Sequence, residues 1–228
     1  MKYKLSDLRG EESAVGQEAE NLEQQLEARD PDVRLMVQVR GDIAGAFETL
    51  VERYQNRLVG ILFHIVGNRE EAEDLCQEVF LRIYKARKGY RPRAKFSTWL
   101  FTIANNLALN HLRSKRRNSS VPIGDSPANS EAVASIAQQL AGRERTPSAQ
   151  MRQAELADLV REALAVLNED QKLAVLLNKF EEMSYAEIGD VMGRSSAAVK
   201  SLLARARNQL REQLEPYLLA GQRGSAEA

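Results

Sequence analysis

Cysteine occurs once in the 228 residues, at Cys76. A single thiol excludes an internal disulfide and a cysteine-based zinc site within one chain. Cys76 lies beside Leu75 and Val79 in a helical pattern, so a partly buried small side chain is expected there. Histidine is almost as scarce. His64 and His111 are isolated in the sequence and make no metal pair, and His64, between Phe63 and Ile65, is expected to be partly buried. No apolar run approaches the ~18 residues that span a bilayer. Met1 to Gly10 has no apolar core of the signal-peptide kind. The expected compartment is the cytoplasm, with no membrane insertion. A Gly-rich phosphate loop and convincing strand alternation are absent too. Net charge is zero, with 32 Lys and Arg against 32 Asp and Glu, so charge has to be read locally.

Read locally, the chain is strongly asymmetric. From Leu81 to Arg117 there is no Asp or Glu, but there are eleven basic residues: Arg82, Lys85, Arg87, Lys88, Arg91, Arg93, Lys95, Arg113, Lys115, Arg116 and Arg117. Tyr84, Tyr90, Phe96, Trp99 and Phe101 are threaded among them. Cations neutralise phosphates, and aromatic faces give unpaired bases a surface to stack on. Just before this stretch, Glu70, Glu71, Glu73, Asp74 and Glu78 fall within nine residues with no basic residue between them. Two faces of opposite sign point to two partners, one of them nucleic acid.

Periodicity places these charges on helices, and the fold class expected is all-α, two small helical domains joined by a flexible linker. Residues 1–29 form an acidic extension whose thin stripe, Val15, Ala19, Leu22 and Leu26, makes at best a marginal helix that needs a partner. Residues 30–117 form the first domain. Asp30 and Pro31 start a short helix, Gly41-Asp42 breaks it, and Asp42 is expected to cap a longer helix ending at Gly67-Asn68. A helix from about Arg69 to Ala86 follows. Lys88 to Pro92 reads as a loop, and Phe96 or Ser97 starts another helix with Trp99, Leu100, Ile103, Ala104 and Leu107 inward. Residues 118–149, broken by Pro122, Pro127 and Pro147, read as the linker, with a short helix possible over Val133 to Leu140. Residues 150–220 form the second domain, and 221–228 a disordered tail.

The sharpest motif runs from Tyr185 to Leu202. Two tightly crossing helices need a tiny residue at their contact, which is Gly189. The turn four residues on needs a positive φ, which Gly193 supplies. Six further on, Val199 drops a β-branched side chain back onto the first helix; Ile188, Met192 and Leu202 complete the small core, and Ser195 caps the second helix. From Val191 to Arg211 there are five basic residues and no acid. Together these features favour a DNA-binding helix-turn-helix over an ordinary helical hairpin. Ser196, Ala197, Lys200, Ser201 and Ala204 would face bases, while Arg194, Arg205 and Arg207 would grip phosphates.

Three stretches in this order resemble the bacterial sigma factors of the extracytoplasmic-function type: Glu70 to Tyr84, Phe96 to Arg113, and the helix-turn-helix. The resemblance implies that the first domain corresponds to sigma region 2 and the second to sigma region 4. It implies docking on core RNA polymerase through Glu70, Glu73, Asp74, Gln77 and Glu78. It implies recognition and melting of the minus-ten element, with the non-template strand held by Lys88, Tyr90, Arg91, Arg93, Lys95, Phe96, Asn105, Asn106, Asn110, Arg113 and Arg116. In that picture Tyr90 and Phe96 stack on bases, Asn105, Asn106 and Asn110 share an exposed face, and Trp99 is mostly core. The minus-thirty-five duplex falls to the second domain. An anti-sigma protein is a further partner the resemblance allows, and no cofactor is implied.

The chain also departs from the family pattern. Leu167-Asn168 stands where the family often has Leu-Pro, and Leu202 where it often has Arg. Residues 1–29 have no counterpart in the minimal pattern, and read equally as an inhibitory or docking arm or as a disordered segment. Two other classes remain open. A helix-turn-helix regulator that is not a polymerase subunit would carry an α/β receiver or a ligand pocket in its first half. A nuclease or recombinase would use the Glu70 to Glu78 carboxylates on a metal. Neither strands nor convergent histidines favour them, and a non-enzymatic function is expected.

Overall fold

The structure is a computed structural model that describes residues 17, 20–118 and 162–224. Among the described residues it is built of helices without a strand. Helical residues 20–29 (α1) lead into α2 (Pro31–Arg40), α3 (Ala46–Val66), α4 (Arg69–Ala86), a single 3-10 turn over Arg87–Gly89, and α5 (Phe96–Asn118). The second unit comprises helical residues 162–165, α6 (Glu169–Phe180), α7 (Tyr185–Met192) and α8 (Ser196–Gly224). The expected linker helix at Val133 to Leu140 and the start of the second domain before residue 162 lie outside the described residues; the expected disordered tail, 221–228, is corrected over 221–224, where α8 continues as helix, and 225–228 lie outside the described residues.

Local chemistry explains the helix ends. The Asp30 carboxylate accepts from the Asp32 N–H at 2.8 Å, with Pro31 in the first turn, as the sequence suggests. The other oxygen of Asp30 accepts from the Phe96 N–H at 3.0 Å, so one side chain caps α2 and also anchors the start of α5. Asn68 caps α4 through the Glu71 N–H, and Gly67 ends α3 with φ +74°. The expectation that Asp42 caps α3 is corrected. α3 begins after Gly45, and Asp42 itself adopts φ +55°. Its carboxylate instead receives Arg87 at 3.1 Å and Lys88, tying the end of α4 to the α2–α3 turn.

The first domain packs α3 against α4, with α2 and α5 closing the bundle. Leu50, Leu58 and Leu62 from α3 meet Ile83 of α4 and Phe96 and Leu100 of α5, all fully buried. Tyr54 joins them, its ring edge-on to Phe96 at 5.3 Å between centroids. Cys76 is buried, and burial, with Glu73 nearby, pushes its thiol up to about 12; this is a packed thiol rather than a nucleophile. α1 gains a partner on this bundle: Leu26 packs against the core and Glu23 pairs with Arg40 at 2.7 Å.

The second domain is organised by two capping boxes. Asn168 and Gln171 cap α6, and Ser184 and Glu187 cap α7. Asn168 therefore starts its helix by side-chain capping in the place where the family often has proline. Gly193 has φ +64°, and a Cβ built on Gly189 would lie 2.5 Å from the Arg194 carbonyl oxygen. Both glycines are therefore required by the turn, as their spacing predicts. Val199 and Ile188 are buried in the small core with Leu203; the expectation that Leu202 completes it is corrected, since Leu202 is buried yet joins neither apolar cluster.

Candidate polymerase and nucleic-acid interfaces

α4 divides the acidic block between two jobs. Glu70, Glu73, Asp74 and Gln77 are exposed and Glu78 is half-exposed, all on the outer side of the helix. Glu73 pairs with Arg69 and Glu78 with Arg82 along the helix, at 2.9 and 2.7 Å. Such exposed pairs add a few tenths of a kcal/mol each and leave the side chains accessible. Glu71 turns the other way, onto Lys115 at 2.5 Å and His111 at 2.8 Å, and so fastens the start of α4 to the basic end of α5. Partial burial would raise the Glu71 pKa, but these two donors outweigh it and hold the carboxyl below its usual range.

Next to the acidic face lies an apolar groove that sequence reasoning missed. Ile43, Phe47 and Val51 line one wall, and Gln77, Phe80, Leu81 and Tyr84 the other. Ile43 is 59% exposed, Leu81 45% and Tyr84 42%. Exposed large apolar side chains gathered with acids on one helix pair suit a protein partner better than solvent. The signal in the sequence is weak, because Phe80 and Tyr84 merely widen the apolar stripe of Ala72, Leu75, Val79 and Ile83 on α4.

The basic region gathers its cations but not all of its aromatics. Arg91, Arg93, Asn106, Asn110, Arg113 and Arg116 are exposed, and Lys88 is exposed although paired with Asp42. Phe96 is fully buried between Tyr54 and Trp99, which corrects the expectation that it offers a stacking face. Capping by Asp30 and core packing fix it inside. Tyr90 is also buried, with its ring 4.8 Å from Trp99. Trp99, expected as mostly core, is half-buried and forms a wall of a recess with Gly89, Tyr90, Arg91 and Arg93. Asn105 is only 6% exposed, so it does not share the open face of Asn106 and Asn110. Its amide donates to the Val191 carbonyl of α7 at 3.1 Å.

On the helix-turn-helix, Arg194, Ser196, Ala197, Lys200, Ser201, Ala204, Arg205 and Arg207 are all exposed on α8 or its approach. The Ser195 hydroxyl accepts from the Ala198 N–H at 3.3 Å, as its position implies. Arg194 pairs with Asp170 at 2.5 Å, and Arg207 donates to the Tyr185 hydroxyl at 2.8 Å. Lys200, one turn into α8, projects with Ser196, Ala197 and Ser201 from the N-terminal end of the helix. This is the end that enters a major groove in such motifs.

Comparison with known proteins decides the family. Residues 50–118 match the model of Sigma-70 region 2, and residues 157–210 that of Sigma-70, region 4. The chain belongs to the sigma-70 family of RNA polymerase sigma factors. It is 31% identical over 195 residues to the RNA polymerase sigma-H factor of Pseudomonas aeruginosa, covering 83% of this chain and 97% of that one. It is 32% identical over 192 residues to the ECF RNA polymerase sigma-E factor of Haemophilus influenzae, covering 82% of this chain and 97% of the other. Its fold is similar to that of the sigma factor RpoE from Bartonella quintana, solved in complex with the anti-sigma factor NepR. The TM-score is 0.53 at 22% identity, over 74% of this chain and 96% of that one.

This sigma factor, of the extracytoplasmic-function type, binds core RNA polymerase and directs promoter recognition, strand opening and transcription initiation. Among its described residues no helix is long and apolar enough to cross a membrane.

Proposed function

We propose that the acidic outer face of α4 is the polymerase dock and that the basic loop and α5 hold the opened minus-ten strand. The observation that carries this is the separation of charge on one bundle. The exposed acids Glu70, Glu73 and Asp74, with Glu78, lie on α4, while the exposed cations Arg91, Arg93, Arg113 and Arg116 lie on the loop and on α5. A negative face steers the chain onto a basic element of the polymerase, and a positive face attracts phosphate; one surface of mixed sign would do neither well. The apolar groove beside Gln77 extends the dock and supplies the desolvated contact that exposed charges alone lack.

In this reading residues 30–117 act as region 2 and residues 150–220 as region 4, joined by 118–149. Arg91 and Arg93 take phosphates of the non-template strand. The recess walled by Tyr90 and Trp99 takes an unstacked base, which is the cost-lowering step of strand opening. Asn106 and Asn110 reach base edges from the open side of α5. Ser196, Ala197, Lys200, Ser201 and Ala204 meet the minus-thirty-five duplex, and Arg194, Arg205 and Arg207 meet its phosphates. The role is non-catalytic: the α4 carboxylates run along an exposed helix and pair with Arg69, Arg82, Lys115 and His111 rather than converging on one point. The place of action is the cytoplasm. An anti-sigma protein is a natural further partner for the same exposed faces.

The test is transcription in vitro with core polymerase and a promoter library from the source genome. Added protein should direct defined start sites that core polymerase alone does not use. A chain that neither joins the polymerase nor selects start sites sinks this reading.

A further inference from the structure

The groove between α3 and α4 has a volume of about 580 Å³, with Phe47, Val51 and Phe80 along it and the exposed Ile43, Leu81 and Tyr84 at its mouth. Its lining includes two acids, Asp42 and Glu48, and no cation. Asp42 is engaged by Arg87 and Lys88. Glu48 stands exposed, with the exposed Glu52 one turn further along α3 and the exposed Asp74 about a turn before Gln77 on the opposite wall. An apolar trough with acidic rims fits a segment that carries apolar side chains and cations together.

The chain itself holds such a segment next to the groove. Met1, Tyr3 and Leu5 alternate with Lys2 and Lys4, and Leu8 and Arg9 follow. In an extended backbone this period of two puts the apolar side chains on one side and the lysines on the other. From Gly10 to Ala28 there is no Lys or Arg, so the cations before Arg29 are confined to these first nine residues. The helix α1 leads back toward the groove: Glu23 pairs with Arg40 at 2.7 Å, at the end of α2 and two positions before Asp42. Gly10 to Ala19 can bridge up to about 33 Å when extended. Phe47 and Gln55 lie about 12 Å apart along α3, the length of about four extended residues.

We propose that Met1 to Leu8, a segment outside the described residues, occupies this groove in the free protein. Tyr3 and Leu5 then cover Phe47, Phe80 and Leu81, and Lys2 and Lys4 face Glu48 and Asp74. The groove adjoins the acidic face of α4, so the segment also screens the dock. Its lysines offset the charge that steers polymerase, and apparent affinity for core polymerase falls by the fraction of molecules whose groove is uncovered. This consequence, unlike the occupancy, rests on the reading of α4 as the dock.

The test uses the full chain. Ser6→Cys with Cys76→Ala takes a nitroxide label at a position outside the apolar and basic pattern. Should Cys76→Ala fail to fold, the buried Cys76 allows Ser6→Cys to be labelled without it. The label should broaden the amide resonances of Phe47, Val51 and Leu81 and leave those of Lys200 and Ser201 sharp. Adding Tyr3→Ser and Leu5→Ser should abolish the broadening. Without the label, the same two changes should tighten binding to core polymerase about fivefold. Lys2→Gln with Lys4→Gln should move both readouts the same way. A groove left sharp belongs to a separate partner protein and overturns the proposal. So does broadening that survives the Tyr3 and Leu5 changes, or core affinity that stays the same or falls. Broadening seen only between a spin-labelled chain and a separate isotope-labelled chain would seat a second copy in the groove and overturn it too. The broadening is read without polymerase. Failure of parent and variant alike to bind core would sink the dock reading, and the label would still decide the occupancy.

Discussion

Alanine at position 189 should damage the second domain, although the same replacement at position 60 should help the first. Both glycines lie inside helices, where glycine costs about 1 kcal/mol relative to alanine. At Gly60 a Cβ meets nothing within 4 Å, so Gly60→Ala should gain between about 0.5 and 1 kcal/mol. At Gly189 the Cβ would stand 2.5 Å from the Arg194 carbonyl oxygen, far inside contact distance. That oxygen belongs to the backbone of the turn and cannot rotate away. The same turn is closed by the Arg194 N–H donating to the Gly189 carbonyl at 2.9 Å, so moving Arg194 also strains this bond. Overpacking of this kind costs about 1–3 kcal/mol, and a backbone neighbour puts it at the upper end. After the helix gain, Gly189→Ala should lose about 2 kcal/mol. Urea unfolding followed by circular dichroism reads both variants against the parent, and duplex binding should weaken with the first because α8 is re-aimed. Equal stability of Gly189→Ala and parent, or a larger loss at Gly60, refutes the reasoning about how the two helices meet.

Asp74→Arg reverses an exposed charge on α4 and should abolish core-polymerase binding with an unchanged melting curve; retained affinity in a pull-down counts against the dock. Lys200→Ala should weaken upstream-duplex binding and relax its preference at the contacted base pair by about 1–3 kcal/mol; an unchanged footprint and an unchanged base preference would show that α8 does not enter the groove as described. His64 is buried in α3 with an unpartnered Nε2, and burial, aided by Lys172 of α6, lowers its pKa to about 4. A depressed histidine binds fewer protons folded than unfolded, so its contribution is intact above pH ~6.5 and is lost as pH falls toward ~4. His64→Leu should therefore remove about 2 kcal/mol of acid destabilisation at pH 5 and raise stability slightly at pH 7. Parallel pH–stability curves for parent and variant would rule that out.

Much of the fold was legible because helix signals are local. Asp30-Pro31, Gly67-Asn68, Ser195 and the Gly189–Gly193–Val199 spacing act within a turn or two of chain, and each does in the structure what its chemistry implies. Asp42 misled because a carboxylate before a helix resembles a cap, yet the nearby cations Arg87 and Lys88 lie 45 and 46 residues away in sequence. Phe96 and Asn105 misled for the same reason. A helical wheel gives the face a side chain occupies but not what arrives to cover that face.

The sequence by itself determined the helical class, the caps at Asp30 and Ser195, the opposite charges on neighbouring elements and the family. All of these depend on spacing along one chain. Only the tertiary structure decided that Glu71 leaves the acidic face for Lys115, that Asp30 holds the start of α5, that an apolar groove adjoins the dock, and that α7 lies on Asn105. Those outcomes depend on which surfaces meet across tens of residues. Burial and the pairing of polar groups, which act through space, settle that choice.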